Sequence, residues 1–436
     1  MLRVSTISTL VKVNTFLQLN RYSHLLSYCQ ELDKRSLLKT SYPNDILGTC
    51  QEKIRNLPPC LYAGFDPTSD SLHIGNLLIL LNLIRGAQFG CQPIALVGGF
   101  TALVGDPSGR NTERDPIKED TVQKNGRAIM DQISRIGQNC QDESETKLLV
   151  VDNREWLAKL SPVSIFRHFG NFRVSQMLKM GAIRSRMSEK LEISLQEFVY
   201  QTLQAYDWQY LSDKQRCFFQ IGGSDQLGHV DFGAHYIKRT REKAFAAGVC
   251  LPLLTDKDGN KLGKSVGGGI WLAPEKTSPF HFYQFFRQLH DTEVSDLLPK
   301  FSIKPIEEIN GILEDHQRNL GKWIAQEALA TELTRIVHGS IEDVRCLSVE
   351  VLLSLFGGAS RIEKHRIQTF GDFAKATRKD SQPGDVLMTK GAFKVNGERI
   401  LDPAQKFDAS AVILPNTTNL VLICWGKRKF QLVQLV

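Results

Sequence analysis

Short apolar runs alternate with helical patterns along the first two thirds of this 436-residue chain. This alternation constrains the fold most, because it predicts an α/β protein built from βαβ units whose strands join one parallel sheet. Such sheets bind ligands outside the carboxyl ends of their strands, so one crevice is expected to collect the candidate motifs. The predicted strands are Leu61–Phe65, Ile94–Val97, Leu148–Val151, Cys217–Ile221 and Leu251–Leu254.

The pattern changes after about Pro279. Leucine and isoleucine residues then recur with helical spacing as far as Val337, which predicts a second, helical domain. Phe356-Gly357-Gly358 is typical of a linker, and Asn396-Gly397 between alternating residues predicts a β-hairpin in a small closing module. We place the helical domain at residues 286–355 and the closing module at residues 356–436.

Composition limits the class of protein. With 42% apolar residues the chain can bury more than one core, and no apolar run approaches the roughly 20 residues that span a bilayer. Nine cysteines without a C-x-x-C pair argue against a zinc ribbon, a redox motif and a disulfide framework. These features predict a soluble, multidomain protein of a reducing compartment.

The net charge of +7 is concentrated at the two ends of the chain. Residues 1–30 contain Arg3, Lys12 and Arg21, no acidic residue and many Ser and Thr, which is typical of a mitochondrial transit peptide. A disordered tail is the alternative for this segment. Residues 357–436 contain thirteen Lys or Arg against seven Asp or Glu, and this excess predicts a polyanionic partner.

One motif joins a strand to the start of a helix. It contains Tyr62-Ala63-Gly64-Phe65-Asp66-Pro67-Thr68, and His73-Ile74-Gly75-Asn76 then opens a long apolar run. His73 and Asn76 lie three residues apart in the first helical turn, where free N–H groups and the helix dipole favour an anion. We predict that this anion is a triphosphate.

A second motif is the loop Lys261-Leu262-Gly263-Lys264-Ser265. Its last three residues also end a P-loop, but a P-loop needs a glycine five residues before Gly263, where this chain has Asp258. We therefore interpret Lys261 and Lys264 as mobile positive charges for pyrophosphate. Taken alone, the peptide fits a solvated loop better, and its pairing with the first motif favours ATP handling.

A polar stripe interrupts the apolar helical pattern from Leu195 to Trp208. Tyr200, Gln204 and Asp207 are spaced by four and three residues, so they share one face of the predicted helix. The spacing alone fits a solvated helix face as well as it fits the wall of a pocket.

The two motifs together resemble the paired signatures of class I aminoacyl-tRNA synthetases. With the stripe and the tyrosine of the first motif, residues 45 to 340 resemble the tyrosyl-tRNA synthetases of the bacterial and organellar type. The resemblance implies a Rossmann-like catalytic domain at residues 31–285, which includes a dimer-interface insertion. It also implies that the chain activates L-tyrosine with ATP and transfers it to the 3′ end of tRNA(Tyr).

The same resemblance assigns the tyrosine-binding residues position by position. Asp207 and Tyr62 would hold the phenolic hydroxyl, and Asp106, Tyr200 and Gln204 would hold the ammonium group. Phenylalanine would leave the buried carboxylate and hydroxyl unpaired, and desolvated unpaired groups are costly. The Gly222-Gly223-Ser224-Asp225-Gln226 turn would bind adenosine, and Gln226 would approach the reacting carboxylate.

ATP is implied as a substrate, accompanied by Mg²⁺ and without a protein-ligated metal. The substrate carboxylate is already an anion, so the first step needs positioning and charge stabilisation and no protein base. Asn76 stands where the family usually has histidine, so it is expected to orient the phosphates and not to titrate. The implied catalytic residues are His73, Asn76, Lys261, Lys264 and Ser265; the implied ATP-binding residues are Ala63, Gly64, Asp66, Thr68, His73, Arg110, Arg114, Gly223, Asp225, Lys261 and Lys264.

Partners follow from the resemblance as well. A homodimer in the mitochondrial matrix is implied, with a helical domain that approaches the anticodon and a closing module that resembles an S4-like RNA-binding domain. Three alternatives remain open at this point. A tryptophanyl enzyme would have no use for a phenol clamp, a silent RNA-binding protein predicts loss of ATP-contacting residues, and a small-molecule nucleotidyltransferase would not need the RNA module.

Overall fold

The computed structural model describes residues 24–108, 112, 115–140, 146–189, 191–242, 244–254, 269–339, 348–378, 384–415, 417–426 and 429–436. These residues divide into two compact units. The first extends to Gly269 and takes in Pro299–Ile309, and the second contains Ile270–Leu298 and Asn310–Val436. No helix within the described ranges is long and apolar enough to cross a membrane.

Six strands of the first unit, counted over the described residues, form one sheet: β1 (Thr40–Tyr42), β2 (Cys60–Phe65), β3 (Gln92–Val97), β4 (Leu149–Asp152), β5 (Phe219–Gly223) and β6 (Ala247–Leu251). The spatial order is β1-β6-β5-β2-β3-β4, and every neighbouring pair is parallel except β1 with β6. The strand order therefore reverses between β2 and β5. Doubly wound sheets bind their ligands at such a reversal.

The parallel sheet confirms the prediction from the alternating runs. Four of the predicted strands overlap β2 to β5, but the fifth, Leu251–Leu254, is wrong because β6 ends at Leu251. Pro252 has no N–H to donate to the next strand, and Leu253 is exposed. The sequence also missed β1, whose three residues are too few to show a period.

Helices of the first unit pack around this sheet. The apolar run that follows Asn76 forms the longest part of the helix after β2, where Leu77, Leu80 and Leu81 are fully buried. The helices are α1 (His24–Lys34), α2 (Gln51–Arg55), α3 (Ile74–Gln88), α4 (Thr101–Val104), α5 (Glu119–Cys140), α6 (Arg154–Leu157), α7 (Pro162–Phe169), α8 (Val174–Met177), α9 (Gly181–Ser188), α10 (Leu195–Lys214) and α11 (Leu227–Thr240).

Helix α1 overlaps the predicted transit peptide, residues 1–30. Leu25 and Cys29 are buried, and the Tyr28 hydroxyl donates to the carbonyl oxygen of Asn82 at 2.9 Å. Residue 30 lies within α1, so a leader cleaved there would remove these side chains from the core. Composition could not reveal this, because a packed amphipathic helix and a transit peptide share the same mixture of residues.

Two buried arginines join α1 and α3 to the segment Pro299–Ile309 of the same unit. Arg35 donates to the carbonyl oxygens of Pro299 and Ser302, each at 2.9 Å. Arg85 donates to the carbonyl oxygen of Ser302 as well. The Arg35 bonds link residues 264 and 267 positions apart in the sequence, and the Arg85 bond links residues 217 positions apart.

Five helices lie between β6 and residue 360 within the described residues, and the first begins at Pro279, where helical periodicity was predicted. Ser278 caps that helix by accepting from the His281 N–H, and proline at the first helical position lacks only an N–H that would stay unbonded there. The five helices are α12 (Pro279–Arg287), α13 (Asp291–Phe301), α14 (Ile306–Arg318), α15 (Ile324–His338) and α16 (Val349–Phe356).

The remaining described residues form a five-stranded sheet in the order β7-β11-β10-β8-β9, made of β7 (Ser360–Ile362), β8 (Phe393–Val395), β9 (Glu398–Arg399), β10 (Leu420–Trp425) and β11 (Lys429–Leu435). The predicted Asn396-Gly397 hairpin is confirmed, because β8 and β9 pair across it with φ of 49° and 94° at the two turn residues. The accompanying helices are α17 (Phe370–Ala376), α18 (Gly384–Thr389) and α19 (Ala409–Val412).

Candidate active site

Polar residues from three parts of the first unit meet at the carboxyl ends of β2 and β5. Asp66, which follows β2, accepts a hydrogen bond from the Tyr200 hydroxyl of α10 at 2.9 Å. Gln226, which follows β5, accepts from Gln204 Nε2 of α10 at 3.4 Å. The predicted polar stripe therefore faces the point where the strand order reverses, as a pocket wall requires.

Asp207 is the buried carboxyl group of this stripe, with 2% of its surface exposed. Its Oδ1 accepts from Trp156 Nε1 at 2.7 Å, and its Oδ2 accepts from Asn153 Nδ2 at 2.9 Å. Burial raises the pKa of Asp207 to about 8, although both hydrogen bonds act to lower it. The two donors hold the carboxyl group in one orientation.

The hydroxyl of Tyr62 in β2 is buried and has no hydrogen-bond partner among the described residues. The residue is 1% exposed, and its ring centroid lies 5.9 Å from that of Trp208. Burial raises the pKa of Tyr62, and the nearby charge of Asp207 raises it further. A buried hydroxyl without a partner is costly, so its position suits a ligand that brings its own polar group.

Asp66 connects two sides of the site. Its Oδ1 accepts from Thr101 Oγ1 at 2.9 Å, and its Oδ2 accepts from the Tyr200 hydroxyl. Thr101 Oγ1 in turn accepts from Asn153 Nδ2 at 2.9 Å, which also bonds the buried carboxyl group on α10. Gly98 permits this packing, because a Cβ there would lie 1.8 Å from Asp66 Oδ1.

Four donors from the described part of the chain surround Asp106. Its Oδ1 accepts from the Ser108 N–H at 2.8 Å and lies 3.3 Å from His229 Nε2. Its Oδ2 accepts from Ser108 Oγ at 2.7 Å and from Gln226 Nε2 at 3.0 Å. Burial alone would raise the pKa of Asp106, but the hydrogen bonds from His229 and Ser108 outweigh it and hold that pKa well below its usual range. The group is therefore a fixed anion.

The turn after β5 carries two of the predicted ATP-binding residues and Gln226. Gly223 ends β5, and Asp225 follows in a single 3₁₀ turn with its side chain exposed. Gln226 is half-buried and donates to Ser108 Oγ at 2.8 Å in addition to Asp106. The Asp225 carboxylate is thus exposed, whereas the Gln226 amide bonds to other residues of the site.

His73 and Asn76 cap the start of α3 reciprocally. His73 Nδ1 accepts from the N–H groups of Gly75 and Asn76 at 3.0 and 3.3 Å, and Asn76 Oδ1 accepts from the His73 N–H at 3.1 Å. The prediction that those helix N–H groups would hold the anion is wrong for Gly75 and Asn76, because the imidazole already bonds them. Since Nδ1 is an acceptor, the ring proton of a neutral His73 resides on Nε2.

Other predicted ATP-binding residues lie along β2 and just after it. Ala63 is buried in the strand, whereas Gly64 and Thr68 are exposed. Apart from its chain neighbours, no described residue has an atom within 4 Å of where a Gly64 Cβ would be, which leaves room for a close ligand. Arg110, Arg114, Lys261, Lys264 and Ser265 lie outside the described residues.

Several residues of the site were not singled out from the sequence. Asn153 and Trp156 directly follow β4, and a polar residue at the carboxyl end of a predicted strand was the available signal. Thr101 and Ser108 lie within five residues of the predicted Asp106. His229 had no such context, since a single histidine in a helix is more often structural than functional.

Comparisons with known proteins agree with this geometry. Residues 55–343 match the family model described as tRNA synthetases class I (W and Y). The chain belongs to this family. A mitochondrial tyrosine–tRNA ligase of Drosophila melanogaster is 34% identical over 435 residues, which covers 93% of each chain. The human mitochondrial tyrosine–tRNA ligase is 35% identical over 408 residues, or 87% of this chain and 84% of the human one.

A solved structure supports the same class I synthetase fold. The C-terminally truncated mitochondrial tyrosyl-tRNA synthetase of Aspergillus nidulans superposes with a TM-score of 0.65 at 27% identity. The match covers 74% of this chain and 94% of that structure. Tryptophanyl-tRNA synthetases also match, at 12% identity, and so share the fold alone with this class I synthetase.

Proposed function

We propose that this chain is a mitochondrial tyrosine–tRNA ligase, which activates L-tyrosine with ATP and charges tRNA(Tyr). The observation that carries the proposal is the buried, unpartnered hydroxyl of Tyr62 together with the buried carboxyl group of Asp207. A phenolic hydroxyl both donates and accepts, so it satisfies both groups, whereas an indole N–H only donates. The printed names of the Drosophila and human relatives support the same substrate.

The other end of tyrosine has partners of matching charge. Asp106 supplies a fixed carboxylate for the ammonium group, and Tyr200 and Gln204 complete that subsite from the same face of α10. Gln226 stands beside Asp106 at 3.0 Å, so its amide is close to the position of the substrate carboxylate. These assignments rest on the contacts described above and on the family resemblance.

Activation is an in-line displacement at the α-phosphorus of ATP. An oxygen of the tyrosine carboxylate forms a bond to phosphorus, the bond from phosphorus to the bridging oxygen breaks, and pyrophosphate leaves with the electron pair. His73 Nε2–H, Asn76 and Thr68 donate to the phosphates near α3, and Asp225 accepts from the ribose hydroxyls. Mg²⁺ arrives with ATP, and the positive charges proposed for pyrophosphate are Arg110, Arg114, Lys261 and Lys264, with Ser265 as a donor.

Transfer to tRNA follows from the adenylate. A ribose hydroxyl of the terminal adenosine attacks the tyrosyl carbonyl carbon, AMP leaves, and the hydroxyl proton is released. We propose that residues 286–355 bind near the anticodon and that residues 356–436 act as an S4-like RNA-binding domain. The five-stranded sheet and the basic composition of the closing module support this role. The names of the relatives support a mitochondrial location, and we propose the matrix.

A homodimer is proposed from an exposed apolar surface on α7 to α10. Phe166 and Leu195 expose 73% and 76% of their surface, which is unusual for large apolar side chains in one segment of a soluble domain. This surface lies in the insertion between the two halves of the sheet, where the family resemblance expects the dimer contact. Its members are Val163, Phe166, Val174, Leu178, Met187 and Leu195.

Amino-acid-dependent exchange of labelled pyrophosphate into ATP tests the proposal with the full chain. We expect exchange with tyrosine and none with phenylalanine or tryptophan. Asp207→Ala should abolish the exchange, whereas Asp231→Ala, which removes an exposed carboxylate from α11, should leave it unchanged. Exchange that depends on tryptophan would assign the chain to the sister enzyme and contradict the proposal.

A further inference from the structure

His229 is a buried histidine that the proposed chemistry does not use. It lies in the first turn of α11, is 5% exposed, and its Nε2 is 3.3 Å from Asp106 Oδ1. Its ring centroid lies 5.7 Å from that of Tyr200 in an edge-to-face arrangement. The imidazole therefore touches two of the three residues proposed to bind the ammonium group.

The hydrogen-bond pattern defines what His229 contributes. Asp106 is an ionised carboxylate and only accepts, so His229 Nε2 must donate the hydrogen bond. His229 Nδ1 is buried without a partner among the described residues, so the hydrogen bonding of the ring is directed to Asp106. The ring thus orients Asp106 through a directed hydrogen bond to Oδ1.

The start of α11 bonds both oxygens of the Asp106 carboxylate. Gln226 immediately precedes α11 and donates to Asp106 Oδ2, whereas His229, three residues later on the same face, bonds Oδ1. One helix start thereby fixes both oxygens of the carboxylate. We infer that His229 is a positioning residue, because it holds Asp106 in the orientation that receives the ammonium group of tyrosine. This inference rests on the proposed function.

The test compares His229→Phe, which keeps a ring but cannot donate, with His229→Gln, whose amide nitrogen reaches the place of Nε2. Pyrophosphate exchange should give His229→Phe a tyrosine KM raised about tenfold or more, in line with loss of a hydrogen bond to a charged group. The ATP KM should stay within about twofold of that of the unchanged protein. His229→Gln should recover most of the lost affinity.

Ligands that lack one end of tyrosine separate positioning from general packing. Calorimetry should show weaker binding of tyramine, which has the ammonium group, to His229→Phe. Binding of 3-(4-hydroxyphenyl)propionate, which has no ammonium group, should be unchanged. Equal weakening of both ligands, or no change in either, would overturn the inference while tyrosine-dependent exchange still supports the proposed function. No exchange with tyrosine by the unchanged protein would overturn both.

Discussion

At the scale of single residues, two carboxyl groups of the site, Asp106 and Asp207, lie in contrasting environments. Within the described residues, Asp106 receives four donors and is held as an anion, whereas Asp207 receives two donors and has a pKa raised to about 8 by burial. The first suits an ammonium group and the second suits a phenol. One side of the pocket therefore offers charge, and the other offers a directed hydrogen bond.

The raised pKa of Asp207 predicts a dependence of stability on pH. In the folded protein Asp207 keeps its proton up to about pH 8, whereas in the unfolded chain it loses the proton near pH 4. Its contribution to the free energy of unfolding is therefore full below about pH 4 and is lost as pH rises to about 8. The slope is at most about 1.4 kcal/mol per pH unit. The melting temperature of Asp207→Asn minus that of the unchanged protein should therefore increase from pH 5 to pH 8.

Melting curves at both pH values, with Asp131→Asn on α5 as the exposed control, measure this effect. The melting temperature of the control should differ from that of the unchanged protein by the same amount at both pH values. A difference for Asp207→Asn that does not change with pH would contradict a raised pKa in the folded state.

At the scale of elements, hydrophobic periodicity and turn residues predicted most of the fold. The strands β2 to β5 and the Asn396-Gly397 hairpin followed from apolar runs and from the positive φ that the turn requires. The reciprocal capping of α3 and the contacts of Asn153 were beyond prediction, because they depend on side-chain orientation and on which strands become neighbours. The spacing of Tyr200, Gln204 and Asp207 placed these residues on one face but could not tell solvent from pocket.

The exposed apolar surface on α7 to α10 predicts a dimer that a charge can break. Phe166→Glu should convert a dimer into a monomer, because it places a carboxylate in an apolar contact that would have to be desolvated. Sedimentation velocity at micromolar concentration measures the change. Val351→Glu, an exposed apolar position on α16, should leave the dimer intact, and a chain that is monomeric before any substitution would refute the interface.

At the scale of the whole molecule, truncation tests how much α1 contributes to the stability of the folded chain. Helix α1 contributes the buried Leu25, Tyr28 and Cys29, and burial of each such side chain is worth about 1.5 to 3 kcal/mol. A protein that begins at residue 31 should therefore melt many degrees lower than one that begins at His24, or precipitate. Equal melting temperatures for both would show that α1 is dispensable.

The bonds from Arg35 and Arg85 to the Pro299 and Ser302 carbonyl oxygens also bear on how the protein is assembled. A chain that enters a compartment amino end first presents both arginines long before residue 299 arrives. Until then the guanidinium groups lack the carbonyl oxygens that receive them in the folded unit. Contacts of such sequence separation are slow to form. The first unit is therefore completed late, after more than two thirds of the chain has passed, and it stays vulnerable to aggregation until that moment.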